Sequence, residues 1–383
     1  MGFWDEPQGA AVFKHAVLRE YAPIFAGKVG SRSEANRVEI VDGYAGQGWY
    51  DNGDPGSPAV LLDTAETLGA IRNVHCTFIE GDPSTFSKLK ARLAEMGVGE
   101  DRATLRHGSM SEHLDEVLER AAGVPLFAFV DPYGLGLPFD ELVGKLMGRP
   151  PDSAGRRVPT EVLVNFTYSG IYRSVGYVTP NTSNPTQLKY AARRTEQLNS
   201  NLNGDWWQDV ARTSTGDELV ATIRQGYIQR VRHAAGPDWQ CLEVPVSDTT
   251  TAKPIYDLLL FTQHPQGRWF FNDAVSLGRQ VFATFCADGF MQAPLWEPQE
   301  DWVNDIERNL RRLLSTGSPV RVVERMLEVY GTTLGEARGK HVKKAAQRLV
   351  ANGIAAGDVH KAPHQLVLQT APTLGPASSH NVA

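Results

Sequence analysis

Val38-Glu-Ile-Val-Asp42-Gly-Tyr-Ala-Gly-Gln-Gly48 decides the fold of this chain. A β-branched run ends on an acid, and glycines follow at 43, 46 and 48. Glycine lets the backbone turn at positive φ and lets a ligand approach it with no Cβ between them. The spacing is G-x-x-G-x-G, not the dinucleotide G-x-G-x-x-G, and the Lys-Ser or Lys-Thr of a phosphate-cradling loop is missing. Taken alone, such a turn also fits a loop that needs nothing more than positive φ.

The flanking chain repeats the pattern. Cys76-Thr-Phe-Ile-Glu80 and Leu126-Phe-Ala-Phe-Val-Asp131 are further apolar runs that close on an acid. Thr104-Leu-Arg106 and Glu161-Val-Leu-Val-Asn-Phe166 complete five strands. A helical spacing of apolar residues over Ala10 to Phe25 precedes them, and helical patterns over 57–70, 83–96, 111–122 and 138–147 separate them. Alternating strands and helices predict a parallel sheet covered on both faces. Ligands of such sheets bind at the carboxyl edge, where these acids lie.

The alternation breaks after Phe166. Residues 167–214 read as an inserted region over the sheet edge, followed by a helix at 216–234 and strands at Gln240–Val246 and Ile255–Thr262. The turn His264-Pro-Gln-Gly267 and the stretch 272–285 close a domain over 1–290. Residues 291–317 read as a polar helical connector, and 318–370 as a winged-helix-like unit. In that unit Val320–Tyr330 and Gly339–Asn352 are its helices and Gln365–Gln369 a wing strand. The Pro-, Gly- and Ser-containing tail 371–383 reads as disordered.

Composition sets the bounds. The 383 residues are 42% hydrophobic and 21% charged, enough to bury a sizeable core. Cys76, Cys241 and Cys286 lie far apart, which argues against a disulfide framework or a zinc knuckle. No apolar run reaches the roughly 18 residues of a membrane span, and the N-terminus lacks the regions of a signal peptide. A cytoplasmic location with no membrane role is expected. A net charge of -6 counts against broad nucleic-acid binding but leaves room for a local basic face.

Each strand end offers chemistry. Glu80 suits the ribose hydroxyls of a nucleoside ligand; a solvated strand-end carboxylate is the plainer reading. In His107-Gly-Ser-Met110, Ser109 or its backbone could hold a base and Met110 could pack on it, and an ordinary turn fits equally well. In Asp131-Pro-Tyr-Gly134, the carboxylate and a proline-fixed carbonyl can accept two hydrogen bonds from an amino group. The Tyr133 ring can stack on the base that carries the amine. Such acceptors turn the nitrogen lone pair toward a methyl donor, and orientation then does most of the catalytic work. A Pro-Gly turn capping a strand is the rival. No metal-ligating cluster is evident, although Asp42, Glu80, Asp82 and Asp131 could gather around Mg²⁺.

Tyr44-Ala-Gly-Gln-Gly48 resembles the F-x-G-x-G loop of class I methyltransferases. Asp131-Pro-Tyr-Gly134 is similar to their Asp-Pro-Pro-Tyr motif, with the second proline absent and the tyrosine one place earlier. With Lys14-His-Ala-Val-Leu-Arg-Glu-Tyr21, Pro55-Gly-Ser-Pro58, Phe78-Ile-Glu80 and Phe129-Val-Asp-Pro-Tyr-Gly-Leu135, the chain over about 10–285 resembles the three-Cys-motif partner proteins. The resemblance implies an α/β fold: a Rossmann-like class I methyltransferase sheet of seven mostly parallel strands. It implies S-adenosylmethionine as cofactor, held by Asp42, Tyr44, Gly46, Gly48, Glu80, Ser109 and Met110, with Lys14 near its carboxylate. Asp131, Pro132 and Tyr133 would orient the acceptor. A radical-SAM-like cysteine-motif partner and a role in nucleic-acid modification or repair are further implications.

Three functions stay open at this point: methyl transfer to a base amine of DNA or RNA, a non-catalytic binding scaffold, and a nucleotide-dependent hydrolase or nuclease. For nucleic-acid contact, Lys340, Lys343, Lys344 and Arg348 fall on one helical face, as phosphate binding needs. A solvated face or a protein-docking module fits as well. Tyr168, Tyr172, Arg173, Tyr177, Arg193, Arg194 and Trp206-Trp207 interleave rings and cations, suiting either a single strand or an aromatic lid.

Overall fold

Every residue of Leu126-Phe-Ala-Phe-Val130 is buried, and the run pairs on both edges as a central strand. The computed structural model describes residues 4–132, 134, 136–176, 184–287 and 299–372. It falls into two compact units, Met1–Met291 and Gln292–Ala383. The first runs α1 (Gly9–Val29), β1 (Arg37–Asp42), α2 (Ser57–Leu68), β2 (Asn73–Glu80), α3 (Pro83–Glu95), β3 (Ala103–His107), α4 (Met110–Arg120) and β4 (Leu126–Val130). A π-helical stretch (Glu141–Met147) leads to β5 (Thr160–Thr167). Then come α5 (Tyr168–Val175), α6 (Pro185–Leu202), α7 (Trp207–Thr213), α8 (Gly216–Ala235), β6 (Gln240–Val246), β7 (Tyr256–Thr262) and α9 (Pro265–Ala287).

The seven strands form one sheet in the order β3-β2-β1-β4-β5-β7-β6. Strands β1 to β5 are parallel; β7 runs antiparallel to β5 and β6. This is the seven-stranded, mostly parallel sheet the strand pattern predicts. The order reverses between β1 and β4, and the crevice at that switch point is where open α/β sheets bind ligands. Asp42 ends β1 in register with Phe129 of β4, which puts the glycine loop and Asp131 at the same crevice.

One sheet face packs on α1 and α9, where the Tyr21 ring lies 5.9 Å from that of Phe127 and 5.2 Å from that of Phe271. The other buries Val41, Ile79, Ala128 and Val130 against Leu114, Leu142, Ile223 and Tyr227. The inserted α5–α7 joins this second core through Ile171, Leu198 and Trp207. The stretch His264–Gly267, expected as a turn, instead opens α9. Pro265 suits a first helical position, where an amide would be orphaned anyway, and the Gln266 amide donates to His264 Nδ1 at 3.1 Å.

Glu161 is buried at the start of β5, accepting from the Tyr21 hydroxyl at 2.5 Å and the Thr262 hydroxyl at 2.7 Å. Burial raises its carboxyl from 4.5 to about 7, against the pull of these two donors. A carboxyl raised on folding holds its proton more tightly in the native state. Its stabilisation is therefore full below pH 4.5 and is lost as pH climbs to about 7. Between pH 5 and 8 Glu161 is expected to remove on the order of 3 kcal/mol of stability. Urea unfolding at the two pH values checks this: Glu161→Gln should flatten the decline, and an unchanged slope counts against a protonated Glu161.

The second unit comprises α10 (Gln299–Leu314), β8 (Val320–Arg321), α11 (Met326–Tyr330), α12 (Gly339–Ala351), β9 (Ala355–Ala356) and β10 (Val367–Thr370). Its antiparallel sheet has the order β8-β10-β9. The stretch read as a connector contributes α10, whose Val303, Ile306 and Leu310 are fully buried. Val320–Tyr330 is not one helix. Val320 and Arg321 pair with Leu368 and Val367, so these residues favour the ladder and helix begins at Met326. Residues 373–383 of the expected disordered tail lie outside the described residues. Among the described residues no helix is long and apolar enough to cross a membrane.

Candidate active site

The glycine loop is braced from two sides. Asp42 is fully buried; its Oδ1 accepts the Tyr44 amide at 3.1 Å, and its Oδ2 has no hydrogen-bond partner among the described residues. Burial raises this carboxyl from 3.8 to about 7 despite the polar groups of Ser57 and Tyr44. Gly46 and Gly48 adopt φ of +64° and +83°, the left-handed region that favours glycine. The Gly46 amide donates to Glu80 Oε2 at 2.7 Å, and Glu80 Oε1 accepts the Asp82 amide at 2.6 Å. Each Glu80 oxygen keeps a second lone pair for a ligand hydroxyl. Burial, with Glu141 and Asp131 nearby, pushes the Tyr44 hydroxyl above its usual range.

Two expected cofactor residues have other work. Ser109 caps α4: its hydroxyl accepts the Glu112 amide at 3.3 Å, while its own amide donates to Glu112 Oε2 at 2.6 Å. With both groups inside a capping box, the side chain serves the helix rather than a base. Ser109→Ala is expected to cost about 1 kcal/mol of stability and to leave nucleoside affinity within about twofold, as thermal melts and calorimetry would read. A tenfold loss of affinity would restore Ser109 to the site. Met110 is buried in the core under Gly43, where an added Cβ would stand 2.2 Å from its Sδ. It packs the loop from beneath and presents no face to a ligand.

At the end of β4, Lys14 of α1 forms an ion pair with Asp131 Oδ2, and the two side chains are 12% and 16% exposed. Lys14 thus sits beside Asp131 at the carboxyl edge of β4. Asn165 of β5 donates from Nδ2 to Asp131 Oδ1 at 2.5 Å, and its own Oδ1 is buried without a partner among the described residues. Asn165 was not anticipated. Its signal is a polar residue inside the apolar run Val162–Phe166, and a buried polar group is the informative exception in a core. Pro132 is buried and lines a small cleft with Val130, Leu137, Phe166, Ile171 and Tyr227. Tyr133 lies outside the described residues. Asp42, Glu80, Asp82 and Asp131 do not gather: among the described residues no group of three acidic, His or Cys side chains is placed to hold a metal ion.

The four cations of α12 differ in what they touch. Lys344 and Arg348 both pair with Glu300 of α10, and Lys343 donates to the His360 carbonyl at 3.2 Å; Lys340 is exposed. In the inserted region Trp207 is buried and Trp206 is covered by Arg230 at 3.9 Å. Tyr168 donates to buried Asp257. Tyr172 and Tyr190 remain 41% and 49% exposed, with Arg194 5.6 Å from the Tyr190 ring. Tyr177 lies outside the described residues.

No protein-family model and no curated protein matches the chain. Among solved structures it is similar to an O-methyltransferase from Bacillus cereus in complex with SAH: 11% identity over 65% of this chain and 80% of that one, TM-score 0.33. It is also similar to a putative rRNA-methylase from Clostridium thermocellum, at 10% identity over 64% and 94% of the two chains with a TM-score of 0.31. An RNA methyltransferase from Salinibacter ruber in complex with S-adenosyl-L-homocysteine is similar at 16% identity over 39% and 73%, TM-score 0.23.

Proposed function

We propose that this chain binds S-adenosylmethionine and transfers its methyl group to an exocyclic amine of a nucleic-acid base. The observation that carries the reading is the β1/β4 switch point. There a positive-φ glycine loop braced by Glu80 lies beside Asp131, one strand away. The residues fit the group. Gly46 and Gly48 at positive φ let the backbone approach a ligand without a Cβ, Asp42 keeps a buried oxygen without a hydrogen-bond partner among the described residues, and Glu80 retains acceptor capacity. Asp42, Tyr44, Gly46, Gly48 and Glu80 would hold the cofactor, which supplies an activated methyl group on a sulfonium. Asp131 and the Pro132 carbonyl would accept the two amine hydrogens and aim the lone pair, with Tyr133 stacking on the base. The cleft beside Pro132 joins apolar walls to the polar side chains of Asn165, Thr167 and Asn201.

For the substrate strand, the exposed Tyr172 and Tyr190 with Arg194 offer stacking and charge. The second unit orders its elements as helix, strand, helix, helix, strand, strand, with sheet order β8-β10-β9, which supports a winged-helix reading. The cysteine-motif partner rests on sequence resemblance. A second reading, a non-catalytic scaffold, is favoured by one observation: both Asp131 oxygens are already engaged, by Lys14 and Asn165.

Calorimetric titration of S-adenosylmethionine and S-adenosylhomocysteine tests the proposal, followed by methyl transfer to single-stranded and duplex oligonucleotides. Micromolar binding with methyl incorporation is expected. A folded sample that binds neither compound overturns it. Binding without transfer to any nucleic acid supports the scaffold.

A further inference from the structure

The segment ahead of α1 lies along the loop that follows the cofactor glycines. The Asp51 amide donates to the Trp4 carbonyl at 2.8 Å and the Asn52 amide to the Asp5 carbonyl at 3.2 Å. The Trp4 and Tyr50 rings stand 5.8 Å apart, and Tyr50 in turn lies 6.1 Å from the buried His15 ring. The far edge of the Trp4 indole comes over Gly46 so closely that a Cβ there would be 2.5 Å from it. The group that covers the middle glycine is therefore an aromatic ring on a short strap.

Resting on the cofactor reading above, we infer that Trp4 is the lid of the cofactor site: it closes over bound S-adenosylmethionine and sets its release rate. Two observations favour a lid over a plug. The polar groups that would hold the ligand are engaged with one another or unpartnered: Gly46 with Glu80, Glu80 with Asp82, and Asp42 Oδ2 with nothing among the described residues. The strap is also tied to loop 49–52 through the Asp51 and Asn52 amides, so movement of either carries the other. An indole suits this cofactor, because its π face attracts a cationic sulfonium and its area covers an adenosine.

The test is stopped-flow release of S-adenosylmethionine from the full chain and its variants. Trp4→Ala is expected to release it about tenfold faster, and Trp4→Phe to restore most of the retention. In parallel, the chain labelled with 5-fluorotryptophan should show one fluorine resonance, identified by its loss in Trp4→Phe, that moves when the cofactor is added. Unchanged release from Trp4→Ala, or tighter binding by it, overturns the lid. A still resonance overturns it as well. If the wild type binds no cofactor the inference falls with the proposed function, whereas wild-type binding with Trp4→Ala unaltered removes the lid alone.

Discussion

Gly46→Arg is expected to abolish the proposed binding of S-adenosylmethionine, a loss of roughly a hundredfold or more, while the fold persists. Gly46 sits at φ +64°, where a non-glycine residue costs of order 1–3 kcal/mol. Its Cβ would stand 2.5 Å from the Trp4 ring, so the rest of the arginine must fill the cradle or push the strap away. The guanidinium would also reach Glu80, the acceptor already bonded to the Gly46 amide, and neutralise the acid proposed for the ribose. Backbone strain has to be separated from occupation of the site. Gly53→Arg does so, because Gly53 adopts φ +92° in a neighbouring turn with nothing within 4 Å of an added Cβ. That variant carries comparable strain and should bind within about twofold of the wild type. Calorimetry reads the affinity, and circular dichroism with a thermal melt reads the fold. Binding by Gly46→Arg at wild-type strength would move the ligand away from this loop.

The sheet was legible because its determinants are local. Three of the five apolar runs close on an acid, and short apolar runs alternating with helical patterns read as parallel strands buried on both faces. The strand ends therefore fall where the carboxylates do, at Asp42, Glu80 and Asp131, and the glycines at 46 and 48 need φ values that glycine adopts most readily. What escaped is pairing across sequence distance. Nothing local to α12 shows that Glu300, more than forty residues earlier, pairs with Lys344 and Arg348. Asn165 looks like an interruption in a strand until the sheet sets it beside Asp131. Trp4 gains its meaning from a contact with Gly46 that no local spacing encodes. Ser109 is a different case. The Ser-x-x-Glu signature of a capping box, Ser109 to Glu112, was present in the sequence and competes with the base-binding role on local grounds alone.

Asp131→Ala separates the enzyme from the scaffold, and the expected result is a fall in methyl transfer of about 10²- to 10³-fold with cofactor affinity within a few-fold of the wild type. The fall follows from geometry: Asp131 directly follows β4 beside Pro132, where its carboxylate would accept from the proposed amine. The substitution also leaves Lys14 without its counter-ion in a largely buried setting, since the pair is only 12% and 16% exposed. Breaking such a pair costs stability on the order of 2–3 kcal/mol, so lost activity must be shown in folded protein. Lys14→Met with Asp131→Asn supplies the control. It removes both charges, keeps an amide that can accept from Asn165 Nδ2, and should recover most of the stability without recovering the rate. A double-mutant cycle then divides the two roles of Asp131: the coupling in stability belongs to the Lys14 pair, and the loss of rate that persists in the double variant belongs to the acceptor amine. If methyl transfer survives in Asp131→Ala, the amine is oriented by other groups. If transfer is absent from wild type and variant alike while nucleic-acid binding is equal in both, the engagement of Asp131 by Lys14 and Asn165 is its whole function, and the fold serves as a scaffold.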